Sequence, residues 1–121
     1  MAQFGLPLWG EQVRLEHWAV AQRHGQLVAK NILGGRHSFV TAPFFWTRQH
    51  DTSVAYVGYG TGFDEAHTFG DVRGRDGAVL LRKRGRPVAV ATVGQQARSL
   101  LCEQAFEMQQ PEEIEAILAA I

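Results

Sequence analysis

Two short segments hold the residues whose types and spacing could support chemistry. Residues 14–18, Arg-Leu-Glu-His-Trp, set the carboxylate of Glu16 beside the imidazole of His17 where a helical pattern begins. The free N–H groups at the start of a helix attract negative charge. Residues 43–51, Pro-Phe-Phe-Trp-Thr-Arg-Gln-His-Asp, carry Trp46 in an aromatic stretch, and an indole can stack on flat rings. Each segment also has an ordinary interpretation, an incidental pair on an amphipathic helix and aromatic core packing, which the residues alone leave open.

Other combinations of reactive residues are weaker. The five histidines show no His-x-x-x-His spacing and Cys102 has no cysteine partner, so no metal site is predicted. Cys102 also falls on the apolar side of a predicted helix, which argues against a role as a nucleophile. Gly58, Gly60 and Gly62 alternate between strand-like segments, whereas a dinucleotide-binding loop follows a strand and opens a helix. They are interpreted as a turn, and no catalytic residue is predicted.

Composition excludes several classes of protein. The 121 residues fit one domain and carry no net charge, with 12 basic and 12 acidic side chains. This balance argues against binding to nucleic acid or to anionic membranes. No apolar run approaches the roughly 20 residues of a membrane span, and no signal peptide is recognisable. The single cysteine favours a cytoplasmic location.

The elements that must position the two segments begin with a long helix. Residues 2–10 show no periodic pattern, and their apolar residues Leu6, Leu8 and Trp9 indicate a surface that lacks its neighbour. From residue 13 to residue 33, apolar residues recur every three or four positions, which predicts a helix with Glu16 in its first turn. A glycine inside a helix often permits another backbone to approach closely, which we expect at Gly25. The predicted buried stripe consists of Leu15, Trp18, Ala19, Gly25, Val28, Ala29, Ile32 and Leu33.

After Pro43 the apolar pattern alternates at every second residue, which predicts strands. Five strands are expected, over 44–49, 53–59, 66–72, 78–83 and 87–93, with a tight turn at 84–86 and a turn signal at Asp76-Gly77. Helical spacing returns over 96–107, with Ala97, Leu100, Leu101, Gln104 and Ala105 on one face. A short stripe follows at Ile114, Ile117, Leu118 and Ile121. The predicted fold class is therefore α+β, with a long N-terminal helix, a five-stranded antiparallel sheet and one or two C-terminal helices.

The two segments together resemble the C-terminal end of FAD-dependent NAD(P)H reductases of the ferredoxin-reductase and apoptosis-inducing-factor type. In that family Arg-x-Glu-x-Trp or Arg-x-Glu-His starts a helix, and a strand with Pro-x-Phe-Trp-Ser-x-Gln-x-Asp follows. Here Pro43, Phe45, Trp46, Gln49 and Asp51 match the strand, with threonine at position 47 where the family mostly has serine. The resemblance extends roughly from residue 2 to residue 107.

The resemblance implies a flavoenzyme whose other parts lie outside this chain. Glu16, His17 and Trp46 match family positions that border the flavin and the nicotinamide, and the backbone of residues 15–18 would face the flavin ring. Residues 1–35 would end the FAD domain and residues 36–121 would form the C-terminal domain. The complete enzyme would use FAD and NAD(P)H. The chain alone, a fragment without its FAD and NAD domains, is expected to bind neither, to be inactive and to self-associate through its first helix.

Alternatives remain at this point. The chain could be a stand-alone ligand-binding or oligomerisation module without flavin, its three tryptophans lining a cavity or a dimer seam. Basic residues clustered over 73–86 are interpreted either as a solvated hairpin or as a docking face for an acidic partner such as a ferredoxin. Nucleic-acid binding through this cluster is disfavoured by the zero net charge.

Overall fold

The computed structural model describes residues 2–121, which form two sheets and three α-helices. The strands are β1 (Phe4–Leu6), β2 (Glu11–Val13), β3 (Phe44–Gln49), β4 (Thr52–Gly58), β5 (Glu65–Asp71), β6 (Asp76–Lys83) and β7 (Arg86–Val93). The helices are α1 (Trp18–Ile32), α2 (Gln96–Glu107) and α3 (Ile114–Ala119), with a 3₁₀ turn at Pro111–Glu113. None of the helices within this range is long and apolar enough to cross a membrane.

The larger sheet contains the five predicted strands in the order β3-β4-β7-β6-β5, and all neighbours are antiparallel. The predicted five-stranded antiparallel sheet is thus confirmed. The tight turn between β6 and β7 is also confirmed, because Lys83 pairs with Arg86 and both central residues have positive φ, 53° at Arg84 and 76° at Gly85. Such a turn matches the natural twist of the strands that it joins. The turn signalled at Asp76-Gly77 lies earlier, over residues 72–75, and both residues belong to β6.

Helices α2 and α3 cover one face of this sheet and form the core with it. Phe106, Ile114 and Leu118 are at most 1% exposed, and the stripe predicted at the C-terminus does point inward. The predicted apolar face of α2 was right for Ala105, which is buried, but wrong for Leu100 and Leu101, which are exposed. Phe106 and Cys102 face the sheet instead, and burying the large phenyl ring removes more apolar surface from water.

The N-terminal segment differs from the prediction, because residues 2–13 form a hairpin. Phe4 pairs with Val13 and Leu6 with Glu11, so two strands precede the first helix. The expectation that the apolar residues here lack a neighbour was wrong. Leu6 is 2% exposed, and the Trp9 ring lies 5.2 Å from that of Phe106 between centroids. Trp9 Nε1 also donates a hydrogen bond to the carbonyl of Val88 at 2.9 Å.

Helix α1 is shorter than predicted, since it begins at Trp18 instead of residue 13. Pairing of β2 with β1 keeps residues 11–13 extended, and Glu16 therefore lies before the helix rather than in its first turn. The buried residues of α1 are Ala19 and Val20, whereas most of the predicted stripe faces outward. Nothing described lies within 4 Å of a Cβ placed at Gly25, so no backbone approaches it in this structure.

Candidate functional site

His17 occupies the N-cap position of α1, with φ −86° and ψ 134°, and its side chain makes no capping hydrogen bond. Its ring packs on Phe45 of β3, with centroids 4.4 Å apart. Burial lowers the pKa of the His17 imidazole, which is therefore neutral at pH 7. Its Nδ1 atom is buried and has no hydrogen-bond partner among residues 2–121. A buried nitrogen of this kind calls for a partner, because leaving it unsatisfied costs about 1–3 kcal/mol.

Glu16 lies in the extended stretch before α1. Its carboxylate accepts a hydrogen bond from Arg14 at 2.7 Å, and both side chains are exposed. An exposed pair of this kind contributes about 0–1 kcal/mol to stability. Glu16 is therefore free to exchange Arg14 for another donor at little cost.

Trp46 lies on the edge strand β3, opposite Ala55 of β4, and is 46% exposed. The ring of Trp18, the first residue of α1, meets it edge to face with centroids 4.8 Å apart. Phe44 lies two residues earlier on the same face of the strand, and its ring centroid is 5.6 Å from that of Trp46. This geometry fixes the orientation of the indole while leaving much of it accessible.

The start of α1 straddles strand β3. Neighbouring residues of a strand point to opposite faces, so His17 meets Phe45 on one face while Trp18 meets Trp46 on the other. The structure thus brings both predicted segments together, but through Trp18, which the sequence pattern had assigned to a buried stripe. The aromatic segment at residues 44–46 suggests an aromatic partner such as Trp18. That pairing can be predicted only once it is known that α1 begins at Trp18.

An apolar groove of about 240 Å³ adjoins Trp46. Its walls include Phe44, Ala55 and Leu100, and Thr92 and Ser99 also line it. The half-exposed indole of Trp46 and the apolar groove that it lines can together hold a planar ring.

The basic cluster over residues 73–86 is half neutralised by ion pairs. Arg75 pairs with Asp51 at 2.5 Å, Lys83 pairs with Glu11 at 2.9 Å, and Arg82 pairs with Glu115. These pairs favour the solvated-hairpin interpretation for half of the cluster. In the described part of the chain, the guanidinium groups of the other three members form no ion pair within 4.0 Å: Arg73, Arg84 and Arg86.

No group of three His, Cys, Asp or Glu side chains suited to a metal ion occurs between residues 2 and 121. Cys102 is fully buried, and burial raises the pKa of its thiol to about 12, although nearby Arg98 acts in the opposite direction. Such a thiol is protonated and inert at neutral pH. Of the three glycines predicted to form a turn, Gly58 ends β4, and Gly60 and Gly62 lie in the connection between β4 and β5, which turns at residues 61 and 62.

Comparisons with known proteins identify one family. Residues 44–119 match the family described as Reductase C-terminal. Apoptosis-inducing factor 3 of Mus musculus is 32% identical over 82 residues, which cover 68% of this chain and 14% of that protein. The ferredoxin--NAD(+) reductase component of the anthranilate 1,2-dioxygenase system of Burkholderia cepacia is 33% identical over 88 residues, or 72% of this chain and 22% of that protein.

Solved structures show the same fold. A crystal structure of the covalent putidaredoxin reductase–putidaredoxin complex aligns with a TM-score of 0.83 at 23% identity, covering 98% of this chain and 32% of that chain. The ferredoxin reductase for the CYP199A2 system from Rhodopseudomonas palustris aligns with a TM-score of 0.79 at 25% identity, over 88% of this chain and 27% of that chain. The chain thus spans about a third or less of each of these proteins.

Proposed function

This chain belongs to the Reductase C-terminal family, and from that premise we propose that it is the C-terminal domain of an FAD-dependent NAD(P)H oxidoreductase of the ferredoxin-reductase type. Residues 1–35 would complete the FAD domain and residues 36–121 would form the domain that closes over it. The FAD and NAD domains would come from the rest of the protein. The chain spans only 14% and 22% of the two relatives, which supports the proposal that further domains belong to the protein.

The residues at the start of α1, on the two faces of β3, fit a flavin. The buried, unpartnered Nδ1 of His17 offers a hydrogen-bonding atom beside the start of α1, and the N–H groups of that helix favour negative charge. When bound, FAD supplies the hydride and electron chemistry. The chain's own part is to bind, to orient and to exclude water.

The proposed roles follow from exposure and contacts. The accessible indole of Trp46, held edge-on by Trp18, packs beside the flavin and nicotinamide rings; this single observation carries the proposal. His17, neutral and wedged on Phe45, holds the start of α1 toward the cofactor. Glu16 exchanges Arg14 for a donor on the cofactor side.

The proposed acceptor is an acidic ferredoxin. One relative is named as a ferredoxin--NAD(+) reductase component, and one structural neighbour is a reductase joined to putidaredoxin. The chain alone would have no reductase activity and little affinity for FAD, because most of the cofactor's contacts would be absent. A cytoplasmic location is proposed from the buried free thiol of Cys102.

The test is to purify the protein that contains this chain from its natural cells and to measure its mass, bound flavin and NAD(P)H-driven reduction of a ferredoxin. Trp46→Ala should lower kcat/KM for NAD(P)H about fivefold, because a lost aromatic contact corresponds to about 1 kcal/mol. Trp46→Phe should retain most of the activity. A natural protein of only 121 residues without flavin would overturn the proposal.

The second candidate is a stand-alone ligand-binding or oligomerisation module without flavin. The apolar groove beside Trp46 favours it, since grooves of this kind hold small apolar ligands. It predicts that the 121-residue chain is complete in the cell and that Trp46→Ala weakens ligand binding or assembly.

A further inference from the structure

A second cleft lies between the turn of the β1–β2 hairpin, the loop after β4 and the turn between β6 and β7. Its volume is about 380 Å³, which is within the usual range for small-molecule sites. Trp9 and Val88 contribute apolar walls, and Lys83, Arg84 and Arg86 contribute positive charge. It shares no lining residue with the groove beside Trp46.

The charge of the cleft is strongly one-sided. Glu11 is the carboxylate that lines it, and it is bound by Lys83 at 2.9 Å. Lys83 Nζ also donates to the carbonyl of Thr61 at 3.4 Å, which holds the ammonium in place. Asp64 lies outside the lining and accepts the backbone N–H of Arg84 at 2.8 Å. Two guanidinium groups are therefore left for an incoming anion.

The tight turn between β6 and β7 sets two of these cations side by side. Arg84 and Gly85 are its central residues, with φ of 53° and 76°. Arg86 begins β7 directly after it, so both arginines lie at the rim of the cleft.

We propose that this cleft binds a small molecule that carries a phosphate group. Arg84 and Arg86 would hold the phosphate through forked, charge-assisted hydrogen bonds, with Lys83 as a point charge. Trp9 and Val88 would contact the organic part of the ligand. The concave shape favours a small molecule over the flatter surface of an acidic protein. The proposal does not depend on the proposed flavoenzyme function.

Calorimetric titration of the 121-residue chain at low ionic strength tests this site with four probes: inorganic pyrophosphate, ADP, adenosine and citrate. Pyrophosphate and ADP should bind and adenosine should not. ADP binding more tightly than pyrophosphate would identify a nucleotide-like ligand, and equal binding would identify free phosphates; both support the site. Absence of pyrophosphate binding, or citrate binding as tightly, would overturn it.

Matched variants test whether the phosphate binds in this cleft. Arg84→Gln combined with Arg86→Gln should weaken pyrophosphate binding at least about tenfold, because it removes both guanidinium groups that would hold the phosphate. Arg73→Gln removes an exposed cation from the turn at residues 72–75, away from the cleft. It should change the affinity for pyrophosphate less than about twofold. Glu11→Gln should tighten binding by releasing Lys83. Equal losses in the arginine variants would indicate only net-charge attraction, and unchanged thermal midpoints would show that all variants fold.

Discussion

Among single residues, Cys102 links burial to pH dependence. The pKa of its thiol is raised to about 12 in the folded chain, whereas an unfolded cysteine has a pKa of about 8.5. At pH values above the pKa of the unfolded cysteine, the folded state therefore binds more protons than the unfolded state. The free energy of unfolding must then fall as pH rises. Between pH 9 and 11 we expect a loss of about 1.4 kcal/mol per pH unit from this group.

Urea unfolding at several pH values measures this loss. Tyr56, whose pKa burial also raises, adds a parallel contribution at higher pH, so the comparison must be with Cys102→Ala. The variant should lose stability less steeply between pH 9 and 11. Identical slopes for both proteins would contradict the assignment.

Substitutions at two glycines with positive φ would distinguish the cost of backbone strain from the cost of a steric clash. At Gly85, φ is +76° and nothing lies within 4 Å of an added Cβ; at Gly58, φ is +93° and the added Cβ would lie 2.3 Å from the carbonyl oxygen of Val88. Gly85→Ala should cost about 1–2 kcal/mol, the conformational cost alone. Gly58→Ala should cost about 3 kcal/mol or more, because β7 must also move. Thermal unfolding of the two variants gives the comparison, and equal costs would contradict it.

At the scale of elements, one ion cluster ties α1 to α2. Arg23 lies 2.7 Å from Glu103 and 3.9 Å from Glu107, and it reaches the carbonyl of Ala42 at 3.4 Å. The backbone N–H of Ala42 donates to Glu107 at 3.3 Å, so the chain between α1 and β3 joins the same cluster. Val20 is buried on the inner side of α1, and Trp18 and His24 make ring contacts with β3 and the N-terminal hairpin. The ion cluster adds a polar tether to the helix whose start approaches Trp46.

Removing Arg23 should release α1. Arg23→Ala leaves Glu103, 8% exposed, without its partner, and should cost about 2–4 kcal/mol in urea unfolding. Adding Glu103→Leu should recover part of that loss, because the buried charge is then removed. Arg36→Ala, an exposed cation on the adjoining segment, should change stability by less than about 0.5 kcal/mol. An equal effect of both single substitutions would exclude the cluster as the tether.

The elements also show what the sequence can predict. Alternation within residues 44–93 is local, so the five strands were predictable residue by residue. The start of α1 was not, because β2 becomes a strand only by pairing with β1, and helical periodicity continues through it. The buried face of α2 was missed because Leu100 is as apolar as Phe106, and only the sheet decides between them. At the candidate site, Trp46 was predictable from its aromatic strand, whereas its contact with Trp18 depends on tertiary packing.

For the whole molecule, two ion pairs join segments that are far apart in the sequence. Lys83 joins the β6–β7 turn to the N-terminal hairpin through Glu11, and Arg82 joins β6 to α3 through Glu115. The outer side of α1 is not covered by any of these contacts. Trp18, Val28 and Ile32 are 57%, 54% and 78% exposed, and an apolar surface of this kind usually marks a contact.

The chain on its own should therefore self-associate through α1. Covering Val28 and Ile32 in each copy removes apolar side chains worth about 1.5–3 kcal/mol each when fully buried, enough to shift a dimer constant by more than about tenfold. Sedimentation at increasing concentration should show dimers of the unaltered chain and monomers of Val28→Glu combined with Ile32→Glu. Val40→Glu supplies the control, because Val40 is 66% exposed but lies outside α1. A strictly monomeric chain at high concentration, or dissociation by Val40→Glu as well, would show that this face does not drive assembly.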